Sequence, residues 1–89
     1  MSKTVKDALL GIKIKEVKGN FYCSYNDLTS LEGSPTIVSG RFNCSENKLT
    51  SLKGSPKEVG GDFYCKNNKA NFTEDDVKKV CDVKGEIHV

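Results

Sequence analysis

Residues 19–38 read GNFYCSYNDLTSLEGSPTIV, and residues 40–59 read GRFNCSENKLTSLKGSPKEV. Thirteen of these twenty aligned positions are identical, so the two stretches are copies of one 21-residue unit. A third copy opens at Gly61 as GDFYCKNNKA and then diverges. A fixed repeat of about 20 to 29 residues is typical of a solenoid, in which each coil buries its apolar side against the next. The repeat therefore predicts a solenoid.

Each copy contains one stretch with the two-residue period of a strand. In Phe42-Asn43-Cys44 the apolar residues alternate with a polar one. Parallel strands of successive coils lie about 4.8 Å apart, which would align equivalent residues in interior rows. We expect the following positions to form the interior: Phe21, Phe42 and Phe63; Cys23, Cys44 and Cys65; Leu28, Leu31, Leu49 and Leu52; and Val17, Val38 and Val59, which would close each coil.

One asparagine recurs in every copy, at Asn26, Asn47 and Asn68. An amide side chain can both donate and accept hydrogen bonds where the turn has no regular ladder. We therefore predict that these asparagines bond the backbone of neighbouring coils.

Both ends of the chain carry signals for a short helix. Thr73 precedes three acidic residues, and Thr4 precedes Asp7 by three positions; both patterns are typical of helix N-termini. Residues 83–89 match residues 59–65 in their Val, Gly, acidic and apolar positions, which predicts a further strand over Glu86–Val89. We expect a single-domain α/β solenoid with about four short parallel strands. Its parts would be an N-terminal cap at residues 1–18, repeats at 19–70, and a C-terminal capping helix with the last strand at 71–89.

The unit F-x-C-S-x-N-x-L-T-S-L-x-G-S-P-x-x-V resembles the leucine-rich repeat, most closely the short repeats of bacterial secreted effectors. The motif CS-x-N-x-LTSL-x-GSP also resembles sequences of small proteins encoded by tailed bacteriophages. The resemblance covers residues 17–70 and departs from the usual repeat in having Phe and Cys where Leu dominates. It implies a leucine-rich-repeat-like fold, but leucine-rich repeats bind many kinds of partner.

Composition and charge argue against several classes of protein. Fourteen Lys and Arg residues against twelve Asp and Glu leave a net charge of +2, too little for a dedicated non-specific nucleic-acid binder. The longest apolar run, Ala8–Ile12, is too short for a membrane span or a signal-peptide core. We therefore expect a cytoplasmic protein with reduced thiols and no contact with membranes.

The residues that could carry chemistry do not form a recognisable constellation. The four cysteines are 21, 21 and 16 residues apart without a C-x-x-C motif, so we expect buried thiols and no metal. Cys65, Cys81 and His88 would be the residues to reconsider if a metal were found. His88 is the only histidine and has no nucleophile placed beside it by the sequence. We predict a protein that is not an enzyme and has no cofactor.

The outward residues of the predicted strands are the candidate binding site. Side chains alternate across a strand, so the neighbours of each Phe and Cys point away from the core. Tyrosine and arginine are enriched among residues that dominate binding energy. The predicted partner-binding residues are Tyr22, Arg41, Asn43, Asp62, Tyr64, Glu86 and His88.

Two functions fit this surface. The first is a small, phage-type module that docks on a bacterial host protein and inhibits or redirects it. The alternative is a nucleic-acid-binding accessory protein that stacks bases on Tyr22 and Tyr64 and uses amino-terminal lysines at positions 3, 6, 13, 15 and 18. Asp62 and Glu86 oppose the alternative. The partner, the oligomeric state and a role of the helical ends in binding stay open.

Overall fold

The computed structural model describes residues 3–89 and shows a solenoid of about three turns built from parallel strands. Within these residues there are two short helices, α1 (Val5–Ala8) and α2 (Glu74–Lys78). Every strand has two residues: β1 (Glu16–Val17), β2 (Phe21–Tyr22), β3 (Ile37–Val38), β4 (Phe42–Asn43), β5 (Glu58–Val59), β6 (Phe63–Tyr64), β7 (Asp82–Val83) and β8 (Ile87–His88). Neither helix is long and apolar enough to span a bilayer.

The strands form two parallel sheets of four strands each, so the predicted solenoid of parallel strands is present, with eight strands where the sequence predicted about four. Sheet 1 has the order β1-β3-β5-β7, and sheet 2 has the order β2-β4-β6-β8. The valines expected merely to close each coil lie in sheet 1, with Val17 paired to Val38 and Val38 to Val59. Glycine recurs between the two strands of each coil. A Cβ atom at Gly61 would crowd the backbone of Gly40, so this corner depends on a residue without a side chain.

Residues pair with their own equivalents in the next coil. Phe21 pairs with Phe42 and Phe42 with Phe63, as the 21-residue period predicts. The rings of Phe21 and Phe42 stack with centroids 5.9 Å apart, and those of Phe42 and Phe63 lie 5.1 Å apart. The predicted fourth strand is confirmed at Ile87–His88, where Ile87 pairs with Phe63. Ile87 follows Phe63 by 24 residues instead of 21, because the last coil has α2 in place of the shorter Leu-Thr-Ser-Leu segment.

The core is a single apolar column inside the coils. Its members are buried at all central positions and half-buried at Val17, Phe21, Val83 and Ile87, in the first and last coils. The buried members of this core are Val5, Cys23, Leu28, Leu31, Val38, Phe42, Cys44, Leu49, Leu52, Val59, Phe63, Cys65, Val77 and Cys81. The predicted phenylalanine, cysteine and leucine rows are therefore confirmed as interior rows.

Two of the three asparagines, Asn47 and Asn68, hold neighbouring coils together as predicted, whereas the prediction was wrong for the Asn26 side chain. Asn47 is buried, and its Oδ1 accepts hydrogen bonds from the backbone N–H groups of Asn26 and Leu28, both at 2.9 Å. Its Nδ2 donates to the carbonyl oxygens of Cys23 and Cys44, both at 3.0 Å. Asn68 repeats the pattern one coil later. The Asn26 side chain instead donates to the Ser24 carbonyl oxygen of its own turn.

Both helices begin at the predicted threonines. Thr4 caps α1 and Thr73 caps α2, and each exchanges hydrogen bonds with an aspartate three residues on, Asp7 or Asp76. Residues 3–6 run beside residues 29–32, because Lys6 donates its N–H to Glu32 and Thr29 donates to Lys3. The first helix therefore continues the turn side of the coil.

Candidate partner-binding surface

The outward residues of sheet 2 form two parallel rows, which we call the outer face. The strand register places Tyr22 beside Asn43, Asn43 beside Tyr64, and Tyr64 beside His88, and this is the aromatic row. The second row consists of the residues two positions earlier in each coil, namely Asn20, Arg41, Asp62 and Glu86. The structure therefore brings all seven predicted site residues together, either in the strands of sheet 2 or directly before them.

Two members of the second row stabilise the backbone. Oδ1 of Asn20 accepts a hydrogen bond from the Arg41 N–H at 2.8 Å, and Oδ1 of Asp62 accepts one from the Glu86 N–H at 2.9 Å. Both bonds connect one coil to the next at the corner between the sheets. Sequence reasoning missed this role, although the shared repeat position of Asn20 and Asp62 after a glycine was a usable signal.

Asp62, Tyr64 and His88 form a compact polar cluster at the C-terminal end of the outer face. The Tyr64 and His88 rings are stacked, with centroids 4.3 Å apart and planes 6° from parallel. Oδ2 of Asp62 lies 3.2 Å from His88 Nε2 and 3.4 Å from the Tyr64 hydroxyl. Glu86 Oε2 lies 4.0 Å from the same imidazole nitrogen. The Glu86 N–H and then His88 hold the pKa of Asp62 below its ordinary 3.8.

Exposure differs along the aromatic row. The side chain of Tyr22 is 56% exposed, and Arg41 and Glu86 are also exposed. Tyr64 and His88 are half-buried, partly because they cover each other. Asn43 is half-buried and its Oδ1 accepts the Ser45 N–H at 3.0 Å. The residues most available to a partner are therefore Tyr22, Arg41 and Glu86.

Further exposed apolar residues lie near the N-terminal end and were not among the predicted site residues. Tyr25 is 78% exposed on the turn that follows β2, where its φ is 57°. Leu10 and Ile12 are exposed on the segment that follows α1. Side chains of this kind on turns have no periodic signal, so the sequence pattern did not mark them.

The four cysteines are free, buried thiols. Burial raises the pKa of Cys23 to about 12 and those of Cys65 and Cys81 to about 11. Burial, with the neighbouring thiols, also raises the pKa of Cys44. A thiol of this kind is protonated at neutral pH and is a poor nucleophile.

The three residues considered as possible metal ligands do not lie close together in the structure. Cys65 and Cys81 are buried in the interior, whereas His88 lies on the outer face beside Asp62. Between Lys3 and Val89, no cluster of three or more His, Cys, Asp or Glu side chains is arranged to hold a metal ion.

Comparisons of this chain with protein-family models, with curated proteins and with solved structures return no match.

Proposed function

We propose that this chain is a non-enzymatic protein-binding module, and that it docks on a bacterial host protein through the outer face and inhibits or redirects it. The observation that carries the proposal is the outer face itself, where exposed Tyr22 and Arg41 lie together with the acidic residues Asp62 and Glu86. Large aromatic and arginine side chains beside mixed charges are typical of protein interfaces. The solenoid holds these residues on a rigid surface.

The leucine-rich-repeat relationship belongs to the same proposal. It is supported by the buried leucines at 28, 31, 49 and 52 and by the asparagine row that bonds successive coils. We also propose that α1 and α2 cap the turn side of the coil, because each buries one valine, Val5 or Val77, against the core. We further propose a bacteriophage origin, because the repeat motif resembles small proteins of tailed bacteriophages, and a cytoplasmic location, because of the composition of the chain.

Two features support a role without catalysis. The cysteines point inward and have raised pKa values, so they are not available to attack a substrate. The single imidazole, that of His88, lies within hydrogen-bond distance of Asp62 and stacks on Tyr64. Among residues 3–89, no serine, threonine or cysteine forms a hydrogen bond with these three side chains.

The test is affinity capture from bacterial lysate, followed by binding measurements with the captured protein. The Tyr22→Ala/Tyr64→Ala variant should lose the partner, with each substitution reducing affinity by about 1–3 kcal/mol. Tyr25→Ala is the matched control, because Tyr25 is equally aromatic and more exposed but lies on the turn. A partner that binds the double variant as tightly as the parent would contradict the proposal.

The nucleic-acid alternative makes a different prediction for the same protein. Lys13, Lys15 and Lys18 are exposed in the first coil near Tyr22 in sequence. Binding through them should weaken steeply with salt, because phosphate contacts release counterions. Binding that depends little on salt and is lost with the tyrosines supports the protein-docking function.

A further inference from the structure

The two ends of the solenoid have the same layout, and both expose sheet edges. The first coil presents a short helix and then β1 and β2, while the last coil presents a short helix and then β7 and β8. Among residues 3–89, each of these four strands has one neighbour, so its other edge is unpaired within this part of the chain. Free edges of this kind can pair with another chain.

The backbone groups at the two edges of sheet 2 are complementary. The N–H groups of Phe21 and Cys23 donate to β4 and its flank, and in a parallel ladder alternate residues face opposite sides. The N–H and C=O of Tyr22 therefore face the free edge. At the other end, Glu86 and His88 accept from the preceding coil, so the N–H and C=O of Ile87 face the opposite free edge.

The apolar rows are incomplete at the same two ends. Val38 and Phe42 are fully buried by coils on both sides, but their equivalents Val17 and Phe21 in the first coil are only half-buried. In the last coil, the equivalent residues Val83 and Ile87 are also only half-buried. One further coil at either end would complete the burial of both rows.

The ends carry charge of opposite sign. Residues 3–18 contain five lysines and two carboxylates, whereas residues 71–89 contain five carboxylates and three lysines. Charge complementarity of this kind favours contact between unlike ends and disfavours contact between like ends.

We propose that this chain associates head to tail with a second copy of itself, the β7 and β8 edges of one copy pairing with the β1 and β2 edges of the next. Ile87 would pair with Phe21 in the register that it already has with Phe63. His88 would then lie over Tyr22 on one side, as it lies over Tyr64 on the other. Asp82 would face Glu16, a like-charge contact of the same kind as the Glu58–Asp82 pair already present.

A head-to-tail contact leaves one free edge at each end of the assembly, so it does not close at the dimer. Sedimentation of the parent protein should give an average mass that rises above 9.8 kDa with concentration and continues past the dimer. Salt should weaken the association, since the ends attract one another electrostatically. A parent protein that stays at monomer mass at every concentration would overturn the proposal.

Proline substitutions identify the edges. Tyr22→Pro and Ile87→Pro each remove an N–H that faces a free edge, a position where a strand tolerates proline. Each variant alone should sediment as a monomer, while a mixture of the two should form a one-to-one complex and nothing larger. A mixture that stays monomeric while the parent associates would refute the head-to-tail geometry.

Two further variants separate edge pairing from folding and from outer-face binding. Tyr22→Ala keeps the edge N–H, so it should still associate even though it weakens docking of a partner. Where a proline variant does not fold, Val83→Lys/Ile87→Lys replaces it, because edge lysines prevent pairing. Association of that variant at the parent's level would contradict the proposal.

Discussion

Tyr64 and His88 stack face to face on the outer face of sheet 2, with ring centroids 4.3 Å apart. The two residues occupy equivalent positions in successive coils and are paired in register. We expect a double-mutant cycle with Tyr64→Ala and His88→Ala to give a coupling of about 0.5–1.5 kcal/mol in the free energy of unfolding. Urea denaturation of the four proteins measures it. The Tyr22 ring stacks on no other ring among residues 3–89, so Tyr22→Ala should change the free energy of unfolding little.

Asn47 is expected to contribute most to stability among the asparagines. Asn47→Ala should lower the free energy of unfolding by about 1–3 kcal/mol, because buried N–H and C=O groups of two coils lose their partner. Denaturant titration provides the measurement. Asn26→Ala is the matched control and should cost less, since the Asn26 side chain donates within its own turn. Equal losses for the two variants would argue against the inter-coil role.

The buried thiols should make the protein less stable in alkali. The folded pKa of Cys23 is raised from 9.0 to about 12, so the unfolded chain releases its proton at lower pH than the folded chain. This contribution to stability is complete below pH 9 and is lost as the pH rises toward 12. The free energy of unfolding, measured from neutral pH upward, should therefore fall. Cys23→Ala should show a shallower fall, and an unchanged slope would contradict the assignment.

The ionised Asp62 carboxylate should stabilise the folded protein, so its protonation should make the protein less stable in acid. Its folded pKa is below 3.8, so its contribution is present above that pH and is lost as the pH falls through the lowered value. Asp62→Asn should keep the bond to the Glu86 N–H, as Asn20 does to Arg41, and lose the charge beside His88. Thermal unfolding below pH 4 should then depend less on pH than in the parent. An equally steep acid dependence would exclude this role.

Glu46 adopts a left-handed conformation with φ of 58°, as do Tyr25 and Asn67 at the same position of the repeat. This region costs most side chains about 1–2 kcal/mol, and asparagine tolerates it best after glycine. Glu46→Asn should therefore raise the midpoint of thermal unfolding, and Glu46→Val should lower it. Calorimetry of the three proteins distinguishes these outcomes, and a more stable valine variant would contradict the conformation.

The period of the sequence determined the stacking of the coils, the interior rows and the inter-coil role of Asn47. Because the same residue recurs every 21 positions, each one meets its own equivalent across a parallel ladder, and the apolar members must face inward together. The final strand could also be predicted, since residues 83–89 repeat the pattern of residues 59–65. These features depend on local spacing alone.

Three features became visible only in the tertiary structure: the second sheet, the contacts of His88, and the unpaired strand edges. A two-residue strand at Val38 has too few positions to show an alternation, so the second sheet became visible only where the coils pair. His88 contacts Tyr64 and Asp62, which belong to the preceding coil. The length of the segment that contains α2 determines that His88 pairs with Tyr64, and this length departs from the 21-residue period. Among residues 3–89, the strand edges at Tyr22 and Ile87 are unpaired, and this too became visible only in the structure, because strand pairing depends on neighbours in space.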